Sequence, residues 1–186
     1  TWAPFKSGAT TLRSSWGIFH DWLPYNTYEQ TLRVDGVQQR EFDLLNPSYP
    51  DIGPVGPGAP ANRYLLEDDL RMPRTNRVSL GIDQRVHRLV QTTSTYAYQR
   101  GSSVYRGLNL NTAVDGERPD EGFGNIIEVV SDASSRQHEV QFALTVNPGA
   151  LFPAFNAPLI KWSRSTVFAN YTWLNVKNNS DGPFAT

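Results

Sequence analysis

Apolar and polar residues alternate along much of this chain. In Arg77-Val-Ser-Leu-Gly-Ile-Asp83, Val78, Leu80 and Ile82 take one side, while Arg77, Ser79, Gly81 and Asp83 take the other. In Glu139-Val-Gln-Phe-Ala-Leu-Thr-Val146, the apolar side is Val140, Phe142, Leu144 and Val146. The opposite side is Glu139, Gln141, Ala143 and Thr145. From Thr166 to Asn175, Val167, Ala169, Tyr171 and Trp173 share a side against Phe168, Asn170, Thr172 and Leu174. Successive side chains of a strand point to opposite faces, so each segment predicts a strand between two different environments.

Further strands are predicted at Thr11 to Trp22, at Val90 to Gln99, and at Gly124 to Ser131 and Arg136 to Val146 around the turn-like Asp132-Ala-Ser-Ser135. Thr27 to Val34 and Gln38 to Leu45 flank Asp35-Gly36, a hairpin dipeptide. Helical spacing is scarce, and only Leu65 to Arg71 suggests a short helical turn. The expected fold class is all-β, with antiparallel up-and-down strands. An open sheet or a sandwich is the alternative architecture. The expected organisation is one segment over 1–186 with two long loops, 46–62 and 101–122. The first holds Pro47, Pro50, Pro54, Pro57 and Pro60 with Gly53, Gly56 and Gly58 between them, and so many breakers exclude a regular element there. Short turns and long loops together suit an outer-membrane barrel.

Composition narrows the function classes. The 186 residues contain no Cys, which removes disulfides, thiolate metal sites and a cysteine nucleophile. With 17 basic and 18 acidic residues, net charge is -1, a poor basis for capturing nucleic acid. No apolar run approaches the roughly 18 residues of a transmembrane helix, but a transmembrane strand needs only about ten and hides in average hydropathy. Thr1 to Lys6 lacks the charged-then-apolar pattern of a signal peptide.

Catalytic patterns are absent from the sequence. His20, His87 and His138 have no second His at helical spacing and read as strand residues. Glu67-Asp68-Asp69 lacks the alternating spacing of a calcium loop and reads as a solvated turn. Asp115, Glu117, Asp120 and Glu121 offer carboxylates for glycoside hydrolysis, but that chemistry needs a defined separation that sequence does not supply. The expectation is a protein that is not an enzyme, with no cofactor and no metal. Trp16, Tyr96, Tyr98, Tyr171 and Trp173 lie near strand ends or on one strand face. Such rings suit either a membrane interface or a sandwich core, and local pattern leaves both open.

Several phrases, in order, resemble TonB-dependent outer-membrane receptors of the Oar-like type. Thr11-Leu-Arg-Ser-Ser-Trp-Gly-Ile-Phe-His-Asp21 resembles that family's "lRagyGiFyD" strand. The stretch from Asn62 to Thr75 is similar to its "dp-l-P-Y" lead-in, and Arg77 to Arg85 to its "s-Gveqql" strand. Tyr96-Ala-Tyr-Gln-Arg-Gly101 resembles "Y-gsrG", with Leu108-Asn-Leu-Asn111 following as "R-iNa" does. Ser134 to Gln141 resembles "s-Y-alqv", and Phe168 to Gly182 resembles "a-YtlsKa-d-sdg". Trp16 and His20 stand where Tyr is usual, Trp173 to Val176 departs from Leu-Ser-Lys-Ala, and Asn147 to Trp162 has no counterpart.

The resemblance implies a middle-to-late segment, of seven or eight strands, from a transmembrane barrel of about 22. It implies solute binding and uptake at a bacterial outer membrane. The partners it implies are membrane lipid and the remaining barrel strands and plug of a parent receptor. Trp16, Phe142, Tyr171 and Trp173 become lipid-facing or interface aromatics, together with Val140, Leu144 and Val146. Gln141, Asn170 and Thr172 face the lumen. The alternative is a stand-alone β-rich accessory subunit of a larger assembly, at the periplasmic or extracellular face, whose open sheet edges recruit a partner. A small closed barrel of about eight strands is a third possibility.

Overall fold

In the computed structural model, residues 1–42, 48, 50–51, 60–148, 156–157, 160–161 and 165–184 are described. Of these, 59% lie in strands and 6% in helix. The long strands are β1 (Thr10–His20), β2 (Ala61–Leu66), β3 (Arg74–His87), β4 (Val90–Asn109), β5 (Phe123–Val146) and β8 (Val167–Asn178). One helix, α1 (Tyr25–Arg33), follows β1. Asn156–Ala157 (β6) and Ile160–Lys161 (β7) form a separate two-stranded antiparallel pair.

The six long strands hydrogen-bond in the order β1-β3-β4-β5-β2, with β8 also paired to β5. The sheet is mixed, which corrects the purely antiparallel expectation. β2 runs parallel to β5, with Tyr64 opposite Ile127 and Leu66 opposite Val129. A parallel partner needs a long crossover, and β3 and β4 supply it. The chain divides into two compact units. The first comprises Thr1–Phe19, Thr75–Arg100 and Ser135–Lys177. The second comprises His20–Arg74, Gly101–Ser134 and Asn178–Thr186. β4 and β5, 20 and 24 residues long, each contribute to both.

The second unit holds a conventional core. Val34, Tyr64 and Ile127 pack together with Phe184 against them, and the Tyr64 and Phe184 rings meet edge-on at 5.1 Å. Val129, Val130 and Ala133 are buried on β5. The expected strand at 27–34 is helix instead. Pro24 precedes its first turn, where a missing N–H costs nothing, and Glu29 bonds Arg33 one turn on at 3.0 Å. Asp35 and Gly36 then close a capped turn, not a hairpin. The Asp35 carboxylate accepts from the N–H groups of Val37 (2.8 Å) and Gln38 (2.7 Å), and Gly36 sits at φ +76°. Of the strand expected at 38–45, the described residues keep one bridge, Glu41 to Asn62, and 43–45 lie outside the described residues.

Three other boundaries move. The 101–122 loop narrows to 110–122, because β4 continues through Asn109. Asp132 to Ser135 makes no turn: β5 runs straight through it. Asp132 is held in a two-point contact by Arg106 (2.6 and 2.7 Å), and the Ser134 carbonyl accepts from the Asn179 N–H. Side chains that favour turns thus serve the ladder once partners on adjacent strands are present. Leu65 and Leu66 end β2, and the helical turn expected after them is a tight turn in which the Leu70 N–H donates to the Glu67 carbonyl. Most of the 46–62 loop and of Asn147 to Trp162 lies outside the described residues.

Candidate functional site

The first unit is built from residues 10–19 of β1, 75–87 of β3, 90–100 of β4, 135–146 of β5 and 167–177 of β8. Side-chain contacts fix which residues share a face. Arg13 on β1 grips Asp83 on β3 through two nitrogens, at 2.7 and 3.0 Å. Thr93 on β4 donates to the same carboxylate at 2.8 Å, and the Ser15 and Ser79 hydroxyls meet at 2.7 Å. Beside it lies a depression of about 250 Å³ lined by the polar Thr93, Gln141, Asn170 and Thr172 and also by Phe142 and Tyr171.

The reverse face carries the apolar members of each alternation. Leu12, Leu80, Ile82, Tyr96 and Val140 line an open groove of about 630 Å³. Trp2 borders this groove and pairs with Leu12 through two backbone hydrogen bonds of 2.8 Å. His138 joins the face through a 2.9 Å bond between its Nδ1 and the Tyr96 hydroxyl, and its ring lies 5.0 Å from that of Tyr98.

Of the sequence-selected aromatics, Phe142 follows His138 and Val140 on this face by the strand's alternation. Trp16 follows Leu12 in the same way. Tyr171 and Trp173 alternate with Asn170 and Thr172 along β8. All four are well exposed: Trp16 70%, Phe142 41%, Tyr171 63% and Trp173 45%. Val78, Leu80, Ile82 and Val140 are exposed as well. Among the described hydrophobic residues of this unit only Leu89 and Ala97 are buried. A sheet with one face of large exposed apolar side chains is unusual for a surface in water.

Three of the carboxylates noted in the sequence have structural partners. Glu67 accepts from the N–H and the hydroxyl of Ser131, both at 3.0 Å, and Asp69 pairs with Arg71 at 2.9 Å. The Asp120 N–H donates to Asn111 Oδ1 at 2.8 Å, and its own carboxylate accepts from Gly122. Among the described residues no three His, Asp or Glu side chains gather in a way that could hold a metal ion. Sequence reasoning missed two constellations. The Arg13–Asp83–Thr93 network joins residues up to 80 positions apart, and only their shared polar parity hints at it. The fully buried Asn111 was the other. Its amide nitrogen donates to the carbonyls of Asp120, Phe123 and Gly124, closing the 110–122 loop.

No protein-family model, curated protein or solved structure matches this chain.

Proposed function

We propose that this chain is a wall segment of a TonB-dependent outer-membrane transporter, taking part without catalysis in the binding and uptake of a solute. The observation that carries the reading is the two-faced sheet of the first unit, apolar and exposed on one side and joined by polar side chains on the other. A barrel wall has that division, with lipid outside and a polar lumen inside. Strand lengths agree: β1 contributes ten residues (10–19) to this unit and β8 eleven (167–177), against the roughly 9–11 a transmembrane strand needs. The phrases that resemble Oar-like receptors lie largely along β1, β3, β4, β5 and β8.

The chain has no native Cys, so single cysteines carrying nitroxide labels test this directly. In lipid bilayers, labels at Phe142 and Tyr171 are expected to collide with lipid-soluble oxygen, and labels at Gln141 and Thr172 with a water-soluble nickel chelate. If Phe142 and Tyr171 are shielded from both reagents, the apolar face is covered by protein and the transporter reading falls.

A second reading has its own support. The parallel pairing of β2 with β5, and α1 lying beside β2, are foreign to an up-and-down wall. They suit an accessory subunit whose apolar face packs on a partner protein, which is the outcome that shielded labels would indicate.

A further inference from the structure

We infer that Arg100, Arg136 and Lys177 form a binding site for the phosphate of an anionic membrane lipid, an inference that rests on the membrane reading above. The three lie near one end of the first unit on three neighbouring strands, β4, β5 and β8. Their shared face follows from contacts. His138 meets both Tyr96 and Tyr98, so the next residues of that alternation, Arg100 and Arg136, stand on the same face. On the other side of β5, Asn179 bonds Ser134, while Asn170 to Thr172 lie beside Gln141 to Ala143. β8 therefore retreats as β5 advances, and the same step sets Lys177 opposite Arg136.

Two cations directly opposed across a strand pair repel each other. All three side chains are exposed, and among the described residues none forms an ion pair or hydrogen bond. The carboxylates nearest along β5 are engaged elsewhere: Asp132 by Arg106, and Glu139 by Gln141 on the opposite face. Among the described residues no carboxylate pairs with the cluster. The chemistry beside it says which kind of anion it suits. Tyr98 and His138 stand next to the cations, and Val140 with Trp173, then Phe142 with Tyr171, follow along β5 and β8. Charge followed by mixed aromatic and apolar rows is the profile of headgroup and membrane interface. Guanidinium groups match phosphate oxygens in a fork, which favours a phosphate over a diffuse counterion.

The test uses the full chain in phosphatidylcholine vesicles with a trace of spin-labelled phosphatidylglycerol or phosphatidylcholine. The fraction of each lipid immobilised by the protein is measured. The chain is expected to prefer the anionic lipid, and R100Q/R136Q/K177Q to lose that preference, by about fivefold per cation removed. Quenching of tryptophan fluorescence by brominated lipid reports insertion separately. Normal quenching with no preference in the natural chain, or with a preference unchanged in the triple variant, overturns the lipid site and leaves the membrane reading standing. Absence of quenching overturns both. Loss of the preference in millimolar inorganic phosphate assigns the site to free phosphate and overturns the lipid assignment, whereas persistence supports it.

Discussion

The Arg13 guanidinium holds the Asp83 carboxylate by two nitrogens, at 2.7 and 3.0 Å, across the β1–β3 pair. Thr93 reaches the same carboxylate from β4, so one acid ties three strands together on the polar face. The pair is partly open to solvent, with 46% of the Arg13 and 27% of the Asp83 side chain exposed, and water screens it. Asp83→Ala is expected to lower stability by about 1 kcal/mol, and Arg13→Ala added to it by little more, because the interaction is already gone. A double-mutant cycle by urea unfolding measures this, and fully additive effects would show that the contact contributes nothing.

Asn111 should matter more than any exposed ion pair. Its side chain is completely buried and bonds three carbonyls and one N–H, while the Arg118 guanidinium donates to its backbone carbonyl at 2.9 Å. Asn111→Ala leaves several of those groups without a partner, at roughly 1–3 kcal/mol. Asn111→Asp is expected to be worse, because a carboxylate there faces carbonyl oxygens. Limited proteolysis within 112–121 should quicken in both variants.

The two units should answer differently to truncation of large apolar residues. Ile127 sits in the core with Val34 and Tyr64, and Ile127→Ala is expected to cost ~2–5 kcal/mol. Phe142 projects from the exposed face, and Phe142→Ala should barely change unfolding in detergent while weakening partition into bilayers. A large loss of stability for Phe142→Ala in detergent would mean that this face is packed inside the protein.

The turn after α1 carries a pH signature. The N–H of Val37, then that of Gln38, hold the Asp35 carboxyl below its ordinary value of 3.8. A carboxyl lowered on folding adds stability above its unfolded value and loses it as pH falls through the folded value. The gap in melting temperature between the natural chain and Asp35→Ala is therefore expected at pH 6 and should shrink as pH falls below about 4. Gly36→Ala in the same turn should destabilise at every pH. Gly36 has φ +76°, and an added Cβ would stand 2.7 Å from the Phe123 ring.

Hydrophobic alternation made much of the first unit legible. Val78-Leu80-Ile82, Val140-Phe142-Leu144 and Tyr171-Trp173 fall within β3, β5 and β8. The second unit was harder to read. Thr27, Tyr28, Thr31 and Val34 favour strands, yet 25–33 is helical, because one turn buries Thr27 and the next residues bring Val34 against Tyr64 and Ile127. Asp132 and Ser134 look like turn residues until Arg106 and Asn179 are beside them.

By itself the sequence determined that the chain is β-rich and that several strands separate an apolar from a polar side, since alternation with period two is a property of neighbours along the chain. Only the tertiary structure decided that β2 lies parallel to β5, that Arg13 finds Asp83, and that the apolar core gathers in one unit while the other leaves its large side chains exposed. Those outcomes depend on pairings between residues roughly 60 to 70 positions apart, chosen by burial and hydrogen bonding over the whole sheet, and no local pattern encodes them.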